Sequence, residues 1–206
     1  RRNGPAADPE AGMTRRHLLA TTALIIGTLG LWQIASGGWI YAKAALAKNL
    51  ITEAWTETLS TGVRVKPWPW ADTWPVAKLR FPTHKRDITV LAGAQGTTLA
   101  FGAGHLDGTA KPGALGNSVI AGHRDTSFTL LGDLKPGDPV SVQNDEGFWY
   151  SYRVTGSSVV DSRKNWYPPE PAANESMLTL VTCWPLDAIT PGGPMRYLVF
   201  AEERER

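Results

Sequence analysis

The chain has 206 residues, with 21 Lys and Arg against 19 Asp and Glu and 42% hydrophobic residues. That length holds one ordinary domain beside a membrane segment, and the apolar content supplies a packed core, which excludes wholesale disorder. A net charge of +2 with scattered Lys and Arg excludes the basic footprint of a nucleic-acid binder, and a single cysteine excludes an internal disulfide.

Residues 1–17 are polar and carry Arg1, Arg2, Arg15 and Arg16, which reads as a cytoplasmic basic tail. Residues 18–42, LLATTALIIGTLGLWQIASGGWIYA, contain no charge. About 20 apolar residues span a bilayer core as a helix, so this stretch predicts a transmembrane signal anchor. Trp32, Trp39 and Tyr41 fall toward its end, where an interfacial aromatic belt belongs. Four arginines precede the segment and only Lys43 and Lys48 follow closely, which places the N-terminal flank in the cytoplasm and the rest across the membrane. A cleaved signal peptide is the competing reading, because small residues occur at 35–37. The uncharged stretch is longer than an ordinary signal-peptide core, which favours an uncleaved anchor.

Residues 43–75 read as a helical stalk and a Trp/Pro-rich linker. Ala45, Leu46, Leu50, Ile51, Ala54, Trp55 and Leu59 recur at near-helical spacing. VKPWPWADTWPVAKL, residues 65–79, predicts irregular backbone, since each proline removes a donor and restricts its predecessor. From residue 76 onward short runs alternate with turn signals: KLRFPT, DITVLAG, TTLAFGAG, NSVIAG, DPVSVQN, GFWYSYRVTGSSVV, SMLTLVTC and MRYLVFAE. Spacing near ten residues without convincing helical stretches predicts an all-β barrel or sandwich over 76–203.

Two of these runs end on reactive residue types. Met177 to Thr182 lead directly into Cys183, and Pro185 stops the strand two residues later. The chain re-enters a strand at Met195, after Pro191-Gly192-Gly193-Pro194. If the two strands pair as a hairpin, Arg196 comes beside Cys183. Likewise the run Ser118–Ala121 ends in Gly122, and His123 follows at once. A thiol needs an activating field, acyl chemistry needs a proton donor for the leaving group, and the oxyanion needs a stabiliser. Cys183, His123 and Arg196 meet one need each. His105 is a rival histidine on composition, His84 and His17 lie in solvated flanks, and Asp107 and Asp125 are open to orienting a histidine, contacting substrate or plain solvation. No metal-ligand spacing, phosphate-binding glycine loop or dinucleotide fingerprint is present.

These residues resemble the sortase family. TLVTC (179–183) is similar to the sortase strand that ends in the nucleophile, and NSVIAGHRD (117–125) to the segment carrying the sortase histidine. PMRYLVF places Arg196 where the family has its arginine, and FGAGHLDGTAKPGALGN (101–117) is similar to the stretch upstream of the histidine. The resemblance implies an eight-stranded β-barrel with short helices and a two-step acyl transfer. Cys183 would cleave a Leu-Pro-x-Thr-Gly-like C-terminal sorting signal of a secreted protein, and a cell-envelope amine would resolve the thioester. His123 would be the acid/base and Arg196 the oxyanion cation, with Thr182, Asp125, His105 and Trp184 as substrate-side residues. No cofactor or metal is implied for the chemistry. The anchor, the WPW stalk and the PGGPMRY ending look most like sortases of Gram-negative bacteria, with the catalytic domain outside the inner membrane. Trp184 departs from the Tyr or Thr expected after the nucleophile, which leaves the neighbouring subsite open. Two further readings stand beside this one: a cysteine endopeptidase using water as acceptor, and an anchored β-barrel that binds a partner with Cys183 buried and inert.

Overall fold

The structure, a computed structural model, describes residues 9–164, 169–188, 190 and 192–204, with side chains from His17 onward. The chain divides into two compact units, the first running to Leu46 and the second from Ala47 to Arg206. Helix α1 spans Pro9–Thr61. Within it, His17–Thr61 includes an 18-residue window of mean hydropathy 1.7, none of it buried. Leu18, Ile25, Leu29, Trp32 and Ile40 are all more than half exposed, a surface that suits lipid rather than water. Thr22, Thr28 and Ser36 return their hydroxyl donors to carbonyls one turn back at 2.9, 3.0 and 2.8 Å, as an apolar medium requires. Lys43 Nζ sits 5.2 Å from the centre of the Trp39 ring, at the expected aromatic belt. The N-terminal apolar helix is therefore a candidate transmembrane segment.

In the second unit the last turns of α1 are packed rather than free-standing. Ile51, Ala54, Trp55 and Thr58 lie at i, i+3, i+4 and i+7, so they share one helix face, and none exceeds 4% exposure. The helix stops at Gly62, whose φ of 69° is an αL cap and whose N–H returns to the Thr58 carbonyl at 2.9 Å. The Trp/Pro-rich segment beyond it is irregular as expected, except that its last residues begin a strand. Strand β1 is Pro75–Phe81. Pro75 takes the first strand position, where the pairing register shifts and a missing donor is tolerated. Trp68 packs edge-on against Phe101 with ring centres 5.1 Å apart, a packing role.

Seven more strands follow: β2 (Arg86–Ala92), β3 (Ala103–His105), β4 (Gly116–Ala121), β5 (Pro139–Asn144), β6 (Trp149–Asp161), β7 (Ser176–Cys183) and β8 (Met195–Glu203). They close into a barrel in the order β1-β2-β3-β4-β7-β8-β6-β5, an eight-stranded barrel that removes every sheet edge. The pairs β2–β3 and β4–β7 are parallel and the others antiparallel. This corrects the reading of TTLAFGAG as one strand. A parallel neighbour needs a crossover, and Gly96–Leu99 supplies it as a single helical turn, α2, before β3 begins at Ala103. Close approach at β3 requires glycine: a Cβ on Gly104 would lie 2.2 Å from the Gly93 carbonyl oxygen.

Inside the barrel Leu79, Phe81, Val90, Ile120, Val142, Leu178, Leu180 and Val199 are all 1% exposed or less. Burying each such side chain contributes about 1.5–3 kcal/mol. A hydrogen-bonded polar pair joins this core. Ser176 Oγ donates to the Ala114 carbonyl at 3.0 Å, so it accepts from the Tyr152 hydroxyl at 2.7 Å. Burial pushes the Tyr152 phenol up from 10 to about 12. A raised pKa means that the unfolded chain ionises first as pH rises. The stability that the neutral phenol confers is thus intact below pH 10 and is lost between pH 10 and about 12, to the extent of about 2–3 kcal/mol. Denaturant titrations across that window should show the loss in the native protein and a smaller one in Tyr152→Phe; equal slopes in both would assign the effect elsewhere.

Candidate active site

Strands β4, β7 and β8 are neighbours, and their pairing decides what meets at their ends. In the antiparallel β7–β8 pair Cys183 stands directly opposite Arg196. Directly opposed residues project to the same face with Cβ atoms about 4.5–5.5 Å apart. In the parallel β4–β7 pair Ala121 is level with Val181, and the Gly122 N–H continues the ladder to the Val181 carbonyl at 3.0 Å. His123 follows at once, in the loop that leaves β4 beside the end of β7. Three adjacent strand ends thus bring His123, Cys183 and Arg196 to one rim. Leu178, Leu180, Val199 and Ala201 point into the core, so by alternation Cys183 and Arg196 belong to the outer face. Cys183 is a free thiol of intermediate exposure.

The backbone at His123 is fixed from several directions. Its carbonyl accepts the N–H groups of Phe128 at 2.9 Å and Thr126 at 3.4 Å, which turns the chain back on itself. The Phe128 ring is fully buried and lies over Gly122, where a Cβ would come within 2.7 Å of ring carbon Cδ2. From below, Thr182 Oγ1 donates to the Gly122 carbonyl at 2.7 Å, tying the residue before the thiol to the residue before the histidine. Thr182 is 2% exposed, so its hydroxyl is committed inside the barrel. Arg196 Nη1 donates to the carbonyls of Gly193 at 2.8 Å and Met195 at 2.9 Å. Among the described residues its Nε and Nη2 make no other bond, so they are available to an incoming oxyanion.

The other sequence candidates lie around this rim. Trp184 donates its N–H to the Met195 carbonyl at 3.0 Å and stacks on Tyr197, with ring centres 5.6 Å apart and planes 24° apart. Tyr197 packs against the core, so the stack seats Trp184 beside the barrel. His105, at the end of β3, is 2.8 Å from the Ala110 carbonyl and 3.1 Å from Thr109 Oγ1 through Nε2, and its ring anchors its own loop. Asp125 is 70% exposed and pairs with Arg124 Nε at 3.4 Å. Arg124 itself is a residue that sequence reasoning did not single out. Its side chain is 4% exposed, and it donates to the carbonyls of Pro185, Ala188 and Thr190 in the loop joining β7 and β8. No local pattern marks it, because all three acceptors lie more than 60 residues away in sequence. Among the described residues no group of three or more His, Cys, Asp or Glu converges to hold a metal. A cavity of about 650 Å³ lined by Tyr150, Glu175, Ser176 and Glu202 lies at the far end of β7. Seven residues of strand, about 23 Å, separate it from Cys183, so it takes no part in this constellation.

The sortase domain family matches residues 79–204, from β1 to the end of β8. The chain belongs to the sortase family. Sortase D of Bacillus subtilis is 26% identical over 124 residues, which are 60% of this chain and 61% of that protein. This sortase therefore spans less than two thirds of that relative. The structure of sortase A from Corynebacterium diphtheriae superposes with a TM-score of 0.56 at 25% identity, covering 80% of this chain and 86% of that one. A Clostridium perfringens sortase D5 transpeptidase shares the fold, with a TM-score of 0.59 at 22% identity, covering 78% of this chain and 99% of that one. The match places the barrel within the sortase architecture.

Proposed function

We propose that this sortase is a cysteine transpeptidase that cleaves a Leu-Pro-x-Thr-Gly-like C-terminal sorting signal and transfers the acyl group to an amine. The observation that carries the reading is the register: Cys183 stands opposite Arg196, and β4 runs parallel to β7 and ends at Ala121, two residues before His123. In the first step the Cys183 thiolate adds to the carbonyl carbon of the Thr–Gly bond. Arg196 stabilises the resulting oxyanion, the C–N bond breaks, and His123 gives a proton to the leaving amine. In the second step an incoming amine adds to the thioester carbonyl and returns its proton to His123, and the thiolate leaves. Thr182 serves by tying the two strand ends together rather than by touching substrate, which its burial supports. Asp125, His105 and Trp184 are second-line candidates for lining the approach to the rim.

The same reading assigns residues 18–42 as the membrane anchor, 76–203 as the catalytic domain and 43–75 as the connection. It puts the N-terminus in the cytoplasm and the barrel outside the inner membrane, facing secreted clients and an envelope amine. The charge asymmetry around the apolar segment supports that orientation. The anchor, the Trp/Pro-rich connection and the PGGPMRY ending support placement with the sortases of Gram-negative bacteria. Mass spectrometry of the full chain in detergent, mixed with a Leu-Pro-x-Thr-Gly peptide, tests the chemistry. A thioester on Cys183 that passes to added amine is the expected result. Hydrolysed peptide alone, at saturating amine, would make the protein an endopeptidase.

A further inference from the structure

We propose that Arg124 is a positioning residue, a buried clamp that keeps the strand ends bearing Cys183 and Arg196 in place against His123. The inference rests on the transpeptidase reading of that rim. Arg124 directly follows the candidate acid/base, yet its side chain points away from solvent. Nη1 donates to the Pro185 carbonyl at 2.8 Å, and Nη2 donates to Ala188 at 2.6 Å and Thr190 at 3.0 Å. All three acceptors belong to the loop between β7 and β8. A buried cation is tolerated only where its donors are satisfied, so the loop and the guanidinium hold each other. The Asp125 carboxylate at 3.4 Å supplies countercharge only from the solvent side.

Among the described residues, the middle of this loop is otherwise bonded by the Ala188 N–H, which donates to the Pro185 carbonyl at 3.4 Å. At its ends Trp184 bonds Met195, and Ser162 donates to Pro194. Gly192 and Gly193 both have φ near +100°, so the returning half is built from the most pliable residues. Leu186 adds one apolar contact, lying where a Cβ on Gly132 would be only 2.6 Å away. The loop begins at Cys183 and carries Gly193, the carbonyl that orients Arg196. The clamp therefore runs from Arg124 through the loop to both partners of the acid/base. A lysine cannot reproduce it, because a single ammonium cannot reach three carbonyls spaced for a planar fork.

The test uses the full chain in detergent with Arg124→Lys and Arg124→Gln. Amide exchange over 184–194 should rise about tenfold or more in both, while β4, β7 and β8 stay protected. With a Leu-Pro-x-Thr-Gly peptide, and active thiols titrated by iodoacetamide, kcat should fall about a hundredfold while KM stays within about threefold. In an Arg196→Ala background the further loss from Arg124→Gln should shrink below about tenfold, because residues acting as a unit do not add. A residue serving only global stability would give losses that multiply. Should Arg124→Gln fail to fold, Arg124→Lys carries the same measurements. Unchanged loop exchange, or multiplying losses, overturns the inference. If the unmodified protein forms no thioester with the peptide, the proposed substrate falls, and loop exchange judges Arg124 by itself.

Discussion

Cys183→Ala should abolish turnover of a sorting-signal peptide while leaving the barrel folded. The two halves of this expectation have separate physical grounds. Cys183 is the last residue of β7, partly exposed on the outer face, and is not a member of the buried core cluster. Removing one sulfur atom there opens no internal cavity, so the stability change should stay within about 0.5 kcal/mol. Removing the nucleophile of an acyl transfer, by contrast, costs a factor on the order of 10⁶. Peptide cleavage followed by chromatography, beside thermal unfolding of both proteins, checks the two halves together. Retained cleavage by a folded Cys183→Ala protein would end the thiol mechanism and turn attention to the barrel as a binding module. Native-state alkylation gives the complementary result: an exposed thiol reacts before unfolding, whereas an inert buried one reacts only after it.

Gly122→Ala should damage stability and activity together, and activity more. The added Cβ would meet three atoms of the Phe128 ring at 2.7, 2.9 and 3.0 Å. Phe128 is fully buried in the core cluster with Leu130, Leu131 and Leu134, so its ring has nowhere inexpensive to go. Overpacking of this kind costs about 1–3 kcal/mol, which in a chain of this size lowers Tm by roughly 2–12 °C. The strain also falls on the peptide that carries His123, between the Thr182 hydroxyl below and the Phe128 N–H above. A displacement of about 1 Å at the acid/base costs about a hundredfold in rate. Measured well below Tm, kcat should therefore fall far more than the folded fraction does. A variant with lowered Tm and full kcat would show that the ring moves without carrying His123.

Much of the site was legible in the chain because it is written in local patterns. Alternation ending abruptly at Cys183 before Pro185, the same ending at His123, and re-entry at Met195 after Pro-Gly-Gly-Pro are short-range signals of strand ends. The eight strand-like runs gave the all-β class for the same reason, and uncharged length alone marked the apolar helix. Where reading failed, a long-range demand overrode a local propensity. TTLAFGAG has the composition of a strand, but a parallel β2–β3 pair needs a crossover, so its first three residues became part of α2. Pro75 looked like a breaker, yet the first position of a strand, where the register shifts, accepts a residue without a donor. Thr182, Phe128 and Arg124 act across contacts separated by tens of residues or through a folded-back turn, and no periodicity announces them. The sequence by itself determined which residue types stand at the ends of strands, because propensity and turn chemistry are local. Only the tertiary structure decided that β4, β7 and β8 are neighbours in register, because closing a barrel sets pairing by the burial of every face at once.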